Sequence, residues 1–315
     1  MSSVLFTHLD SLELESENKL YAPIFDQVRS YFSATPFEGY FPKELLSKIF
    51  AMSESTSEDD QLVNALKPLV KIAYKYALCK PSQFPVGGCC YCKESGNAYI
   101  GFNMESEKHW IGYSVHAEQC TFNNALIHGE KVIDLLVVSY TPCGHCRQFI
   151  NQFAFSKTLK IFIVTINKAF NVHDLLPYDF SPADLPEINF PDTDNFCVKK
   201  MEGDKVDDLK IEQVIKAAKK SHLDNLANYC AVGLFVKDKA FFGNFLENCA
   251  HNPSFHPMNG AISQLVLNGF GVQDVDEIVA VQYENSPFWM KETVLGVIGG
   301  YGELKKSVKI TYVVV

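Results

Sequence analysis

At 315 residues the chain exceeds one ordinary domain, so two packed units are the starting expectation. Hydrophobic residues at 47% and charged residues at 21% exclude wholesale disorder, and a net charge of -9 argues against a phosphate-tracking surface, because nucleic-acid affinity comes largely from Lys and Arg releasing counterions. Met1-Ser2-Ser3-Val4 lacks a basic n-region and an apolar run, and no stretch is long and apolar enough to span a bilayer. A cytoplasmic protein without membrane partners is expected, its ten cysteines serving as core residues or metal ligands rather than disulfides.

The first fifty residues read as one or two short helices, with Leu45, Leu46, Ile49 and Phe50 forming an apolar stripe after Pro42. A polar stretch covers 53–60. Within it Ser57 is the expected N-cap of a long helix whose apolar residues Leu62, Leu66, Leu69, Val70, Ala73, Tyr76 and Ala77 recur at helical spacing until Pro81 stops it. Strands are expected at 86–91 and 98–102 around the turn Glu94-Ser95-Gly96-Asn97. Ser114 reads as the cap of a helix ending at Gly129, 133–138 as a buried strand, Thr141-Pro142 as the opening of another helix, and 161–166 as a closing strand.

Residues 176–194, rich in Pro and Asp and without periodicity, read as a linker. Beyond them the pattern repeats at an offset of about 140 residues, the spacing of a duplicated domain. Val232-Gly233 echo Val86-Gly87, 243–247 echo 101–105, and Leu267-Asn268-Gly269 echo Ile127-His128-Gly129. The expected division is 1–52 as an N-terminal helical segment, 53–175 as the first copy, 176–205 as linker and 206–315 as the second copy. In the second copy Pro257-Met258-Asn259 stands opposite His116-Ala117-Glu118, and no cysteine follows Cys249. That copy cannot hold the same metal and reads as a structural partner.

The chemistry concentrates in His116-Ala117-Glu118 and Pro142-Cys143-Gly144-His145-Cys146. One imidazole and two thiolates give a tetrahedral zinc three protein ligands and leave a fourth position for water, the arrangement of a catalytic site. Zinc brings the pKa of such a water to about 7. Glu118, not needed by a structural site, is placed to move protons. Helix starts under Cys143 and Cys146 favour negative sulfur, and Arg147 is expected to hydrogen-bond a thiolate. Cys89-Cys90-Tyr91-Cys92 invites a second-metal reading, but alternating strand residues face opposite ways and small cysteines are common in cores. His109 and Trp110 precede Ser114 in a loop and are candidates for the pocket or the surface.

Together these residues match the H-x-E…P-C-x-x-C pattern of zinc deaminases. The segment 141–149, with Arg147-Gln148 after the second cysteine, resembles the cytidine deaminases, in particular their long two-domain homodimeric form. The resemblance implies a duplicated three-layer α/β/α sandwich with mixed sheets, plus the N-terminal helical segment, and one zinc per chain held by His116, Cys143 and Cys146. It implies hydrolytic deamination of free cytidine and deoxycytidine to uridine and deoxyuridine, with Glu118 as proton carrier. Ser82-Gln83-Phe84-Pro85-Val86-Gly87 resembles the family segment whose Phe packs on the pyrimidine, with Pro85 in place of a frequent Asn. Asn103 and Glu105 inherit the ribose 3'-hydroxyl, the Ala117 N–H contacts the cytosine O2, and the Thr141 carbonyl receives the departing amine. His251 matches the position whose aromatic side chain reaches the partner subunit's site. The rivals are a deaminase of nucleotides or single-stranded nucleic acid, and a catalytically idle zinc-stabilised interaction protein.

Overall fold

The computed structural model describes residues 3–53 and 57–315, so Met1, Ser2 and residues 54–56 of the polar stretch lie outside the described residues. The N-terminal segment carries α1 (Ser3–Glu13), a 3-10 turn (Ser16–Tyr21), α2 (Ala22–Ala34), β1 (Tyr40–Phe41) and α3 (Lys43–Met52). It therefore has three helices where one or two were expected, and a strand besides. Leu5, Leu9 and Leu12 on α1 and Phe25, Val28 and Phe32 on α2 are buried in the same core as the expected Leu45, Leu46 and Ile49. Ser, Thr, Tyr and Phe give these helices modest intrinsic propensity, so burial stabilises them more than composition does.

The long helix α4 (Glu58–Lys75) is capped as expected, Ser57 accepting from the Asp60 N–H. It stops well before Pro81. Leu78 instead pairs its backbone with Met104, its N–H donating to the Asn103 carbonyl and its carbonyl accepting from Glu105. There follow β2 (Gly87–Cys92), β3 (Asn97–Phe102), α5 (Ala117–Ile127), β4 (Leu135–Val138), α6 (Gly144–Asn151), β5 (Lys160–Ile163), β6 (Lys168–Asn171) and α7 (Val172–Leu175). The six-stranded sheet runs β1-β3-β2-β4-β5-β6, mixed because only β4 and β5 are parallel. The strand expected to close the unit is followed by β6 at the edge.

Two helix starts differ from expectation. Met104 and Val115 exchange backbone hydrogen bonds, keeping the chain extended past Ser114, so α5 begins at Ala117 with His116 as N-cap. Likewise α6 begins at Gly144 with Cys143, not Thr141, as N-cap.

Neighbouring strand residues show how the layers stack. A Cβ on Gly87 would lie 2.5 Å from the Val70 carbonyl oxygen of α4, whereas one on Gly101 would lie 2.2 Å from the Thr121 nitrogen of α5. Gly101 pairs with Gly88, whose own Cβ would strike Thr121. Because successive side chains leave a strand on opposite faces, α4 and α5 cover opposite faces of the sheet, and α5 rests directly on backbone. The zinc-pattern residues at the start of α5 are held against the sheet by that contact.

The second copy contains β7 (Lys200–Gly203), α8 (Asp208–Ala218), β8 (Cys230–Val236), β9 (Lys239–Asn244), α9 (Pro257–Leu267), β10 (Glu277–Gln282), α10 (Lys291–Gly299) and β11 (Lys309–Val314). Its sheet order β7-β11-β10-β8-β9 repeats β6-β5-β4-β2-β3 of the first, with β10 and β11 the parallel pair and no counterpart of β1 among the described residues. The expected linker thus contributes a strand, β7, to the far edge.

The copies meet through α5 and α9. Asn123 donates to Ser263, and Gln264 to Asn124, each pair separated by 140 positions. A residue touching its own repeat equivalent lies on a two-fold axis, here an internal one.

Helix starts correct the repeat register: α9 begins at Pro257 as α5 begins at Ala117, so His256-Pro257-Met258 stand where His116-Ala117-Glu118 do, one residue earlier than expected. Pairing of Gly243 with Val232, as Gly101 with Gly88, likewise sets Val232 opposite Gly88 and corrects the expected match by two. The N-caps Cys143 and Met290 correspond, and three residues on, so do Cys146 and Thr293.

His256 is retained without its metal partners. Its Nδ1 accepts from the Met258 N–H at 3.1 Å and its Nε2 meets Thr293 Oγ1 at 2.8 Å. Burial pulls its pKa down to about 4. The unfolded chain then takes up a proton at pH values where the folded chain does not, so stability falls as pH drops from 6.5 through about 4, by at most about 3 kcal/mol from this group. The thermal midpoint is expected to fall between pH 7 and pH 4.5, and to fall less in His256→Gln; equal falls would place the acid sensitivity elsewhere.

Candidate metal centre and active site

At the N-terminal ends of α5 and α6 three donors converge. His116 Nδ1 lies 3.4 Å from Cys143 Sγ and 3.2 Å from Cys146 Sγ, and the sulfurs are 3.8 Å apart. That separation is far beyond a disulfide's about 2.05 Å. It suits a tetrahedron around zinc, for which metal–donor lengths of about 2.0–2.3 Å give edges of about 3.5–3.8 Å. These are the only three His, Cys, Asp or Glu side chains that cluster as a metal site among the described residues. Cys89, Cys90 and Cys92 are buried core residues.

The electrostatics of the cluster call for a cation. The Cys146 thiol's hydrogen bond, with help from His116, pulls Cys143 down to about 3 against the opposing effect of burial. Cys146 is driven well above its ordinary 9 by burial and by the neighbouring sulfur. The two shifts describe one negative charge shared by a pair, and a second thiolate requires added positive charge. The bond to Cys143 raises His116.

Glu118, in the first turn of α5, is 4% exposed, and burial raises its carboxyl above the usual range. It interacts with Cys146 and His116 without joining the three donors. A buried carboxyl so raised is more basic than an exposed one, which suits it to taking a proton from a neighbour and giving it up again.

These groups lie at a cavity of about 700 Å³, whose wall includes Phe84, Asn103, Glu105, His116, Ala117, Glu118, Thr141 and Cys143. Residues separated by up to 59 positions in sequence thus share one wall, while Cys146 is buried behind it. Asn103 Oδ1 accepts from the Val86 N–H at 2.7 Å and its Nδ2 donates to the Phe84 carbonyl at 3.0 Å. The Glu105 carboxylate accepts from the Ser82 N–H and hydroxyl. The pair therefore pins the loop that presents Phe84, whose ring is half exposed.

Sequence reasoning missed Tyr140 and Ile111. Tyr140 stacks obliquely on Phe84 at 4.6 Å, and Ile111 lines the mouth at 71% exposure. Adjacency of Tyr140 to the Thr141-Pro142-Cys143 motif was the one available signal. Trp110 is exposed beside that mouth, and His109 packs near Gly299 of α10.

One expected role changes. Arg147 donates to the carbonyls of Pro142 at 2.8 Å and Leu175 at 2.7 Å, not to a cysteine sulfur; its guanidinium braces the loop entering α6 against the end of α7. His251, expected to reach the partner subunit's site, lies within its own chain at a cavity of the second copy, its ring edge-on to Phe288 at 6.0 Å. What the second copy does give the centre is support. Gln119 donates to the Pro253 carbonyl, Asn248 to the Gln148 carbonyl, and the Cys249 N–H to Gln152 Oε1, so one loop grips both ligand-bearing helices.

Residues 60–162, and again 172–294, match families described as the cytidine and deoxycytidylate deaminase zinc-binding region. The cytidine deaminase of Aeromonas hydrophila is 32% identical over 264 residues, covering 82% of this chain and 86% of its own. The chain belongs to the cytidine deaminase family. The cytidine deaminase of Salmonella agona is 31% identical over 272 residues, covering 83% of this chain and 87% of its own. A crystal structure of cytidine deaminase from Burkholderia pseudomallei is 25% identical, at a TM-score of 0.33, over 37% of this chain and 97% of its own. In this cytidine deaminase the match over 60–162 spans the whole His116, Glu118, Cys143 and Cys146 constellation, and the match over 172–294 spans His256 and Thr293 in its place.

Proposed function

We propose that the chain hydrolyses the C4 amino group of free cytidine and deoxycytidine, giving uridine or deoxyuridine and ammonia. The observation that carries this reading is a buried Glu118 carboxyl beside a His-Cys-Cys cluster at the wall of a cavity large enough for a nucleoside. Residues 53–175, with β1 at the sheet edge, form the catalytic unit, and 206–315, with β7 at the far edge, its degenerate partner.

His116, Cys143 and Cys146 would hold the zinc, which when bound would supply a Lewis acid that makes water nucleophilic near neutral pH. Glu118 would accept a proton from the attacking water and pass protons to the ring nitrogen and the leaving amine, so that a C–O bond is made at C4 and the C4–N bond is lost with ammonia. The Phe84 ring offers a face to the pyrimidine, the Ala117 N–H donates to O2, and the Thr141 carbonyl accepts from the departing amine. Asn103 and Glu105 face the sugar. The Glu105 carboxylate keeps lone pairs beyond those used by Ser82, so it can accept from a 3'-hydroxyl and repels a phosphate placed there.

We assign the chain to a cytoplasmic homodimer; the exposed Ile111 and Trp110 beside the cavity mouth support an interface there, and His251, exposed on the second copy, is the side chain we assign to the partner's site. Ultraviolet assays of cytidine, deoxycytidine, dCMP and single-stranded DNA at equal cytosine concentration test the substrate class. The two nucleosides are expected to turn over at least about 100-fold faster per site than dCMP or DNA. Equal or faster turnover of either phosphate-bearing substrate would overturn the assignment.

A further inference from the structure

The second copy keeps a cavity, of about 270 Å³, at the positions equivalent to the catalytic one. We propose that it is a binding site for a neutral, planar heteroaromatic ring of nucleobase size, held without metal and without reaction.

The correspondence follows from strand and helix register. Counting back from Val232, which stands at Gly88, puts Asn228 where the first cavity has Phe84. Leu246 bridges to His222 and Phe255 as Met104 does to Leu78 and Val115, which puts Phe245 at Asn103 and Glu247 at Glu105. The metal positions become Met290 and Thr293, and the proton carrier becomes Met258.

The exchanges at the cysteine and proton-carrier positions remove ionisable groups from the cavity. His256 is fixed neutral, because Nδ1 accepts an N–H and therefore carries no proton, leaving Nε2–H to donate to Thr293. The Glu247 carboxylate is consumed by the N–H groups of Asp224, Asn225 and Leu226. Among the described residues no Asp, Glu, Lys or Arg lines this cavity, where His251 stands at the exposed side. With Phe245 in place of Asn103, the pair that would face a sugar is gone as well, which favours a bare ring over a nucleoside.

What remains suits such a ring. Phe245, Met290 and Phe288 are apolar walls, and Phe288 and Trp289 keep 47% and 59% of their surface exposed, leaving aromatic faces for stacking. Asn228 is 3% exposed and lines the cavity, and its Oδ1 has no hydrogen-bond partner among the described residues. A ring N–H supplies the missing donor, as the amide and lactam edges of nucleobases do.

The chain has two tryptophans, so Trp110→Phe leaves Trp289 at this cavity as the sole indole reporter. Titrating the full-length Trp110→Phe protein with uracil, adenine and benzene is expected to give a saturable change in Trp289 emission with at least one of the two bases. Benzene should bind at least tenfold more weakly. Adding Asn228→Leu should weaken base binding at least tenfold and leave cytidine turnover unchanged, and Phe288→Ala, at an exposed position, should weaken it in a protein whose fold is not at issue. The absence of saturation with both bases, equal binding of benzene, or undiminished binding in both variants would overturn the proposal. None of these outcomes bears on the reaction at the first cavity, which cytidine turnover reports separately.

Discussion

Glu118→Gln is expected to lower kcat for cytidine by about 10²–10⁴-fold, the range that a positioned general acid–base group supplies, while metal content stays at one per chain. Glutamine keeps the shape and the hydrogen bonding of a protonated carboxyl but can neither take nor give up a proton. Burial is what raises Glu118, and no donor of the metal cluster is lost when it becomes an amide. The effect should therefore fall on kcat, with KM changed much less, because the groups that contact the base and sugar stand on other elements. Metal analysis and steady-state kinetics on the same preparation check this. Turnover near the parent rate at full metal content would remove Glu118 from the proton-transfer role, and lost metal would show that it orders the cluster instead.

Which parts of this were legible in the sequence depended on how local their causes were. The His116, Glu118, Cys143 and Cys146 pattern could be read directly, since ligand chemistry fixes residue type and spacing within two short segments. Phe84, Asn103 and Glu105 entered only through family resemblance, and the structure gathers them on one wall because β2 and β3 pair in the register Gly88 to Gly101. Helix starts were misread where distant backbone decided them, as when Met104 held Val115 extended and passed the cap of α5 from Ser114 to His116. Strand β7 could not be seen at all. Lys200–Gly203 is four polar or exposed residues without alternation, and it becomes a strand only by pairing with Thr311 to Val314, more than a hundred residues on. The register of the second copy slipped for a related reason. Pro257 marks the first helical residue, and taking it as the counterpart of His116 overlooked His256 as an unusual cap.

Removing the metal is expected to abolish turnover, and the pH dependence of its return should expose which sulfur carries a proton. Cys143, pulled down to about 3, is a thiolate throughout the neutral range, whereas Cys146, pushed well above 9, is a thiol in the free cluster. Zinc must displace the Cys146 proton at any pH between 6 and 8, and below the raised pKa of His116 it must displace that proton too. Each displaced proton steepens apparent affinity by about tenfold per pH unit, so zinc uptake by the chelator-stripped enzyme should tighten at least about tenfold from pH 7 to pH 8 and more steeply at lower pH. Competition with a chromogenic chelator measures the slope, and a pH electrode in weak buffer counts the protons. Cys143→Ser and Cys146→Ser should each lose the metal and at least about 10³-fold in turnover, since an alcohol stays protonated where a thiol yields. Affinity independent of pH from 7 to 8 would mean that both sulfurs are already ionised, and that the positive charge of the helix N-termini, rather than the metal, holds the second negative charge in place.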